Sequence, residues 1–306
     1  MSPSDALMTQ PHTNGCETHL ILGSSADAPA LLPQFVGRVA LAVTSPPYHN
    51  AISYTSHALN PDENYRTRQH LSYAREYLPF LDSVWAACFE MLRPGGHLAV
   101  NVGTVLLDGE HFSLPQDIIA RLDCAAEPWE FIRSIIWNKV TAGVKRAGSV
   151  IQHRLPGYWY PNIMTEHIIV VRKPGPTSIQ NTDVPEEWWE PVWDLAPVPP
   201  RQVPHPAPFP EDLPHRLIRM LTNETDAVMD PFLGAGATSK AAFDLGRTAI
   251  GFDIEPQYRD YAIQRLNAPS AVRPSQLGIV TTPTSDFVPG RSRGQTRHGA
   301  GLAARR

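Results

Sequence analysis

Two hydrophobic patterns recur along the chain, one typical of buried strands and one of amphipathic helices. Short apolar runs predict strands at 18–23, 38–44, 97–102, 131–137, 166–171, 227–230 and 248–252. Apolar residues at three- and four-residue spacing predict helices at 72–92, 115–124, 211–222, 239–245 and 255–266. This alternation of strands and helices is typical of an α/β fold.

Stretches without this periodicity delimit the folded part. Residues 1–15 are polar and predicted to be a loose tail, and 49–70 reads as a long loop of the kind that is often functional. Residues 174–210 are rich in proline and include an acidic run with Trp188, Trp189 and Trp193, for which packing is favoured over base recognition. We predict one domain at 16–267, followed by a disordered basic tail at 268–306.

Composition narrows the class of protein. The 306 residues are 42% hydrophobic and carry a net charge of −4, so any nucleic-acid contact must come from local basic patches. The three cysteines are scattered, which fits a reducing cytosol and offers neither a disulfide framework nor zinc-ligand spacing. No leader and no membrane-length apolar run are seen, so we expect a cytoplasmic protein without a membrane partner.

The first candidate for chemistry is the sequence Thr-Ser-Pro-Pro-Tyr at 44–48, directly after the buried strand 38–44. Two consecutive prolines cannot continue a strand ladder, so the strand ends abruptly. In open α/β sheets, ligands bind at the carboxyl ends of the strands. A hydroxyl, a rigid diproline and an aromatic ring are therefore predicted to stand at a binding edge.

The second candidate is the Gly-rich turn at 231–238, which lies between a strand and a helix. Glycines let a backbone approach a ligand closely. Asp253 ends the next strand, 17 residues after Gly236, where a carboxylate can accept ribose hydroxyls. Ser239 replaces the third glycine of the dinucleotide fingerprint, which favours a ligand with adenosine but without a pyrophosphate.

Taken together, Asp-Pro-Phe-x-Gly-x-Gly-x-Thr at 230–238 and Ser-Pro-Pro-Tyr at 45–48 resemble the S-adenosylmethionine-dependent DNA amino-methyltransferases of the β group, in which the catalytic motif precedes the cofactor motif. The resemblance covers about residues 18–267. Supporting matches are Arg-Pro-Gly-Gly-His at 93–97, Trp-Asn-Lys at 137–139, Glu-His-Ile-Ile-Val at 166–170, His-Pro-Ala-Pro-Phe-Pro at 205–210 and Gly-Phe-Asp-Ile at 251–254.

The resemblance implies a Rossmann-like class I methyltransferase fold. Its sheet would be seven-stranded and mostly parallel, with one antiparallel edge strand and a circularly permuted motif order. It implies S-adenosyl-L-methionine as cofactor and no metal. The implied cofactor-binding residues are Asp230, Phe232, Gly234, Gly236, Thr238, Asp253 and Phe209. The family often has Gly-Asp where this chain has Gly23-Ser24, and Asp27 is the nearby substitute.

The implied catalytic residues are Ser45, Pro46, Pro47 and Tyr48. An exocyclic amine is a poor nucleophile because its lone pair is delocalised into the ring. The Ser45 hydroxyl and the Pro46 carbonyl would accept its two N–H bonds, and Tyr48 would stack on the flipped-out base. In the family, serine at the first motif position is commoner in cytosine-N4 enzymes, which favours cytosine over adenine-N6. Carbon-5 methylation is disfavoured because no cysteine here follows a proline.

Basic residues mark the predicted contacts to double-stranded DNA, with small recognition elements at about 138–162 and 174–204. The candidates are Lys139, Lys145, Arg146 and Arg154, which lie beside aromatic residues, and Arg66 and Arg68 in the loop after the motif. The resemblance implies a cognate restriction endonuclease, acting separately, as a partner. It also implies that the methyltransferase is a monomer or weak dimer. Three alternatives stay open: adenine-N6 methylation, an inactive fold that only binds DNA or a partner, and methylation of RNA or a small amine.

Overall fold

The computed structural model describes residues 7–11, 15–47, 73–107, 110–139, 163–180, 184–199, 203, 205 and 208–270. Within these ranges the chain forms one nine-stranded sheet and a separate two-stranded hairpin. The strands are β1 (Leu7–Pro11), β2 (Glu17–Leu22), β3 (Val39–Thr44), β4 (Leu92–Val102), β5 (Val105–Leu107), β6 (Glu110–Phe112), β7 (Glu130–Asn138), β8 (Thr165–Arg172), β9 (Val192–Asp194), β10 (Ala227–Asp230) and β11 (Thr248–Asp253).

Six α-helices accompany these strands in the described ranges. They are α1 (Ala28–Leu31), α2 (Leu78–Met91), α3 (Leu114–Asp123), α4 (Asp212–Leu221), α5 (Ala237–Asp244) and α6 (Pro256–Leu266). A π-helical turn at Tyr73–Tyr77 leads into α2, and short 3-10 turns lie at Ser25–Asp27, Pro33–Phe35 and Glu186–Trp189.

The large sheet has the order β1-β2-β11-β10-β3-β4-β8-β7-β9. Its central strands β2, β11, β10, β3 and β4 are parallel. β8 runs antiparallel to β4 and β7, β1 runs antiparallel to β2, and β9 is parallel to β7. The predicted α/β fold with a mostly parallel sheet and an antiparallel edge strand is confirmed, and the strands β10 and β11 from the end of the chain lie in the middle of the sheet, as the permuted order requires.

The sheet differs from the prediction in two details. β1 and β9 extend it from seven to nine strands, with β1 as the antiparallel edge strand, and a second antiparallel strand, β8, lies inside the sheet. The prediction that residues 1–15 form a loose tail is wrong for Leu7–Pro11, which pair with β2. An edge strand of this kind lacks a continuous apolar run because its residues alternate between exposed and half-buried positions.

β4 begins at Leu92, directly after α2, instead of at the predicted residue 97. Leu92 pairs with Val39 and His97 with Leu41, so the residues between them bulge out of the ladder. Gly95 adopts a positive φ of 76° in this bulge. Its N–H donates to the Lys173 carbonyl at 3.0 Å, and this hydrogen bond holds the bulge against the chain that follows β8.

Helices cover both faces of the sheet. One buried cluster packs α2 and α3 on one face, and a second packs α4 and α5 on the other. Trp188 and Trp193 belong to the packed interior, each 1% exposed, and the predicted packing role is confirmed for them. Trp189 between them is 62% exposed. The predicted tail beyond residue 270 lies outside the described residues.

No helix in the described ranges is both long enough and apolar enough to span a bilayer.

A pair of glycine substitutions tests the β4 bulge. Gly95→Ala should lower the free energy of unfolding by more than about 2 kcal/mol, because a Cβ would overlap the Pro176 carbonyl oxygen and the backbone φ is positive. Gly37→Ala is the matched control, since its φ of 68° is similar and no atom lies within 4 Å of the new Cβ. That control should lose only about 1–2 kcal/mol. Equal losses in chemical denaturation would contradict the overlap.

Candidate functional site

The carboxyl ends of β3, β10 and β11 meet at one edge of the sheet, because these strands are parallel neighbours. Ser45, Pro46 and Pro47 follow β3 at this edge, and Pro46 is buried. The hydroxyl of Tyr77 donates to the Pro47 carbonyl at 2.8 Å and so fixes the turn. Sequence reasoning had placed Tyr77 only in a helix. Tyr48 lies outside the described residues.

One buried hydrogen bond joins the two candidate motifs. The Thr44 hydroxyl donates to Asp230 Oδ1 at 2.7 Å across 186 residues of sequence. The N–H of Phe232 donates to the same oxygen at 3.0 Å. The motifs are therefore parts of a single site, and Thr44, the residue before the predicted catalytic set, makes the connection.

Asp230 is fully buried, and its burial raises the pKa of the carboxyl to about 6. The hydrogen bonds from Thr44 and the Phe232 N–H offset part of this rise. Thr238 also lowers the pKa of Asp230. The Thr238 hydroxyl donates to the Val43 carbonyl at 3.3 Å. Asp230 Oδ2 has no hydrogen-bond partner among the described residues.

The main chain of the Gly-rich turn packs tightly against neighbouring residues. Gly234 and Gly236 have φ values of 47° and 73°. A Cβ on Gly236 would lie 2.6 Å from the Ala262 Cβ, and a Cβ on Gly234 would lie 2.9 Å from His205 Nε2. Only glycine fits both positions, so the main chain of the turn packs directly against His205 and α6 at the start of α5.

Asp253 stands beside this turn at the end of β11 and is half-buried. Its Oδ2 accepts the Gly234 N–H at 2.9 Å, and its Oδ1 accepts the Glu255 N–H at 2.9 Å. A carboxylate can accept about four hydrogen bonds, and a carboxylate at the end of this strand is suited to binding a diol. The main-chain donors also hold the carboxylate in one orientation next to the glycines.

A partly buried arginine ties the segment before α4 to the Gly-rich turn. Arg265 Nε donates to Glu211 Oε1 at 2.8 Å, and Arg265 Nη1 donates to the Ala235 carbonyl at 2.9 Å. Glu211 follows Phe209, which is buried in the same core cluster as α4 and α5. Sequence reasoning missed this contact because Arg265 has no neighbouring acid in its own helix that would suggest it.

The remaining predicted cofactor residues lie at the rim of this arrangement. Phe232 packs against α2, with ring centroids 5.9 Å from Phe80 and 6.3 Å from Trp85. Asp27 is exposed in the turn after β2. That turn adjoins Asp253, whose carbonyl accepts the Gly23 N–H at 2.8 Å. Asp27 is thus near the site without a described contact to it.

Among the predicted DNA contacts, Lys139 is the one that the structure describes. Its ammonium group forms an ion pair with Glu166 and lies 4.9 Å from the centroid of the Trp137 ring. The other five candidates, Arg66, Arg68, Lys145, Arg146 and Arg154, lie outside the described residues. Across the described ranges, no group of three or more His, Cys, Asp or Glu residues could hold a metal ion.

The chain matches a family model described as DNA methylase over residues 39–264. The type II methyltransferase M.MjaI of Methanocaldococcus jannaschii is 31% identical over 191 residues, which are 56% of this chain but only 61%, less than two thirds, of that protein. M.MthZI of Methanothermobacter thermautotrophicus is 29% identical over 261 residues, which are 75% of this chain and 71% of that protein.

Solved structures are similar across most of the chain. TTHA0409 of Thermus thermophilus, a proposed DNA modification methylase complexed with S-adenosyl-L-methionine, is 30% identical, with a TM-score of 0.57 and coverage of 82% of this chain and 97% of that one. PvuII DNA methyltransferase, which is cytosine-N4-specific, has a TM-score of 0.65 at 21% identity, covering 85% of this chain and 89% of that one. The second likeness concerns the fold alone.

The Thr44–Asp230 hydrogen bond predicts a pH-dependent change in stability. Because the pKa of the Asp230 carboxyl is raised, the folded state holds a proton between about pH 4 and 6 that the unfolded chain has released. The free energy of unfolding therefore falls as the pH rises through this range. Thr44→Val removes a donor to the ionised form, so the pKa should rise further. The variant should lose about 1–3 kcal/mol of unfolding free energy at pH 8 and clearly less at pH 5.

Thr222→Val is the matched control for this measurement by chemical denaturation. Its buried hydroxyl donates to the Ile218 carbonyl at 2.6 Å and accepts from Arg247 Nε at 3.2 Å. A carbonyl does not titrate and a guanidinium stays protonated, so the loss should not vary between pH 5 and pH 8. A Thr44→Val loss that is the same at both pH values would contradict ionisation of Asp230 in this range.

Proposed function

The chain belongs to the DNA methylase family, and we propose that it is a site-specific DNA methyltransferase that modifies the exocyclic N4 amine of a flipped-out cytosine. The observation that carries this proposal is the buried Thr44–Asp230 hydrogen bond. It places a motif suited to activating an amine beside a turn suited to binding an adenosine. Neither motif alone accounts for a transfer reaction, whereas the two together do.

S-adenosyl-L-methionine fits the second motif. At Gly234 and Gly236 the turn packs too tightly against its neighbours to admit a Cβ, and Asp253 offers a carboxylate of fixed orientation for the ribose hydroxyls. These residues would hold the cofactor together with Asp230, Thr238 and Phe232, and Phe209 would close the pocket. The bound cofactor supplies a methyl group activated by a positively charged sulfur, so the chemistry requires no metal.

The first motif would prepare the amine. The Ser45 hydroxyl and the Pro46 carbonyl can accept its two N–H bonds and draw the lone pair onto the nitrogen. Because Tyr77 fixes the adjoining Pro47 carbonyl and Pro46 is buried, the acceptors are held in place before the base arrives. Pro47 stiffens the turn, and Tyr48 would stack on the base, an interaction worth about 1–3 kcal/mol.

The target base is inferred from Ser45. The resembled family has serine at this position more often in cytosine-N4 enzymes, and aspartate more often in adenine-N6 enzymes. Both bases present an exocyclic amine, so the geometry of this edge suits either one. Adenine-N6 methylation is therefore the outcome against which the cytosine proposal is tested.

DNA would be held by basic side chains. We propose Lys139, Lys145, Arg146, Arg154, Arg66 and Arg68 as phosphate contacts. The named relatives are type II methyltransferases, which supports a role in a restriction–modification pair with a separately acting endonuclease. We propose that the methyltransferase itself acts as a monomer or weak dimer.

The target base can be identified by expressing the gene in a host without DNA methylation and digesting its DNA to nucleosides. Mass spectrometry should detect N4-methylcytosine, and sequencing of modified positions should return the recognition sequence. N6-methyladenine as the only product would overturn the cytosine assignment. DNA that is bound but never methylated, at any sequence, would support a binding module instead.

Two substitutions should separate amine activation from cofactor binding. Ser45→Ala should lower kcat about 100-fold or more and leave S-adenosylmethionine affinity within twofold, because the lost acceptor acts on the base. Asp253→Ala should weaken cofactor binding about 10-fold or more, since hydrogen bonds to a charged group are lost. Calorimetry and single-turnover methyl transfer measure the two effects.

Ser83→Ala is the control, because Ser83 is exposed on α2 and donates only to its own helix. It should leave both quantities unchanged. Unaltered cofactor affinity in Asp253→Ala would contradict the ribose assignment, and unaltered kcat in Ser45→Ala would contradict the catalytic one.

A further inference from the structure

A second polar cluster lies at the same edge of the sheet as Ser45, and of its three members only Lys139 belongs to the proposed phosphate contacts. Asn101 stands near the carboxyl end of β4, and Lys139 directly follows β7. β8 is antiparallel to both strands, so Glu166 at its beginning lies at this same edge. Asn101 is 2% exposed and Glu166 is 8% exposed.

The three side chains are connected in a line. Asn101 Nδ2 donates to Glu166 Oε2 at 2.6 Å, and the Lys139 ammonium group pairs with Glu166 Oε1. The two short motifs that contain Lys139 and Glu166 thus meet each other, and Glu166 connects them to Asn101. Lys139 forms an ion pair with a buried acid, so it also has a structural contact inside the protein.

This chain of contacts fixes which way the Asn101 carboxamide faces. An ionised carboxylate only accepts hydrogen bonds, so Glu166 can be matched only by the Nδ2 end of the amide. Asn101 Oδ1 is therefore directed away from Glu166.

Asn101 Oδ1 is buried and has no hydrogen-bond partner among the described residues. An unmatched buried acceptor is unfavourable, so a donor is expected when the site is filled. On cytosine and on adenine, the exocyclic amine is the only hydrogen-bond donor of the base. A base that enters this edge can match Asn101 Oδ1 only through that amine.

Asn101 and Ser45 are neighbours across the β3–β4 ladder. Thr44 pairs with Val100, so the next residues on the two strands are Ser45 and Asn101. Val43 and Ala99, two positions earlier on each strand, belong to the same core cluster. Because side chains two apart share a face of a strand, Ser45 and Asn101 continue on one face.

We propose that Asn101 is a specificity-determining residue that accepts a hydrogen bond from the target amine, with Glu166 and Lys139 as positioning residues. The amine has two N–H bonds; the Pro46 carbonyl accepts one, and Ser45 Oγ and Asn101 Oδ1 share the other. This inference rests on the proposed function, because it names a contact within the same base-binding site.

The test uses DNA in which the target base lacks its amine. Duplexes carry the recognition sequence with either the natural base or its amine-free analogue, which is pyrimidin-2-one for cytosine and purine for adenine. Asn101→Ala should weaken binding of the natural duplex about 5- to 10-fold. It should leave the affinity for the amine-free duplex within twofold of that of wild type.

Equal weakening for both duplexes would overturn the proposal, because it would mean that Asn101 only supports the pocket. An unchanged affinity for both would overturn it as well. Methyl transfer by wild type is measured first on the natural duplex. Failure of that transfer would refute the proposed function itself, and so the two failures are distinguishable.

Glu166→Gln tests the positioning role. Glutamine can present either end of its amide to Asn101, so Oδ1 is no longer held toward the base. The single-turnover rate, measured at a temperature where the variant is fully folded, should fall about 10-fold with unchanged cofactor affinity. Glu130→Gln is the matched control, since Glu130 pairs with Arg172 at the opposite end of the same two strands. It should retain the wild-type rate, and a Glu166→Gln rate equal to that of Glu130→Gln would overturn the positioning role.

Discussion

The hydrogen bond from Thr44 to Asp230 joins the ends of two neighbouring parallel strands where water is excluded. A carboxylate in such a place needs hydrogen-bond donors, because burial raises its pKa, and the pKa is still about 6 with the hydrogen bonds from Thr44 and the Phe232 N–H in place. The Thr44 hydroxyl and the Phe232 N–H donate hydrogen bonds to this carboxylate. The end of β3 and the start of the Gly-rich turn are thereby held in register, and the acceptors after β3 keep a fixed position relative to the glycines and Asp253.

Around this contact, the site is organised by main-chain geometry more than by charge. Asp253 is oriented by two N–H donors, the Pro47 carbonyl is fixed by Tyr77, and the Gly-rich turn is tied to the segment before α4 by Arg265. Such an arrangement has little to reorganise when a substrate binds, which is the condition for effective stabilisation of a transition state. The proposed Asn101 contact follows the same logic, since a buried ion pair holds one acceptor toward the base.

Much of the fold could be predicted because parallel strands buried on both faces appear as continuous apolar runs. β3, β10 and β11 were visible in this way, as was the amphipathic helix α2. The edge strands β1 and β9 were missed, since half-exposed residues and prolines hide their pattern. The bulge in β4 was also missed. Pro94 and the glycines after it are typical of a helix end, whereas in the structure they form an irregularity inside β4.

The sequence by itself determined the two motifs, their order and the family they resemble, because those features depend on residue type and local spacing. Only the tertiary structure decided which residues support them. Thr44 and Asp230 are 186 residues apart, and Asn101 and Glu166 are 65 residues apart. Such pairs become neighbours only through the order of strands in the sheet. No local pattern encodes that order, since it is set by how all the strands pack together.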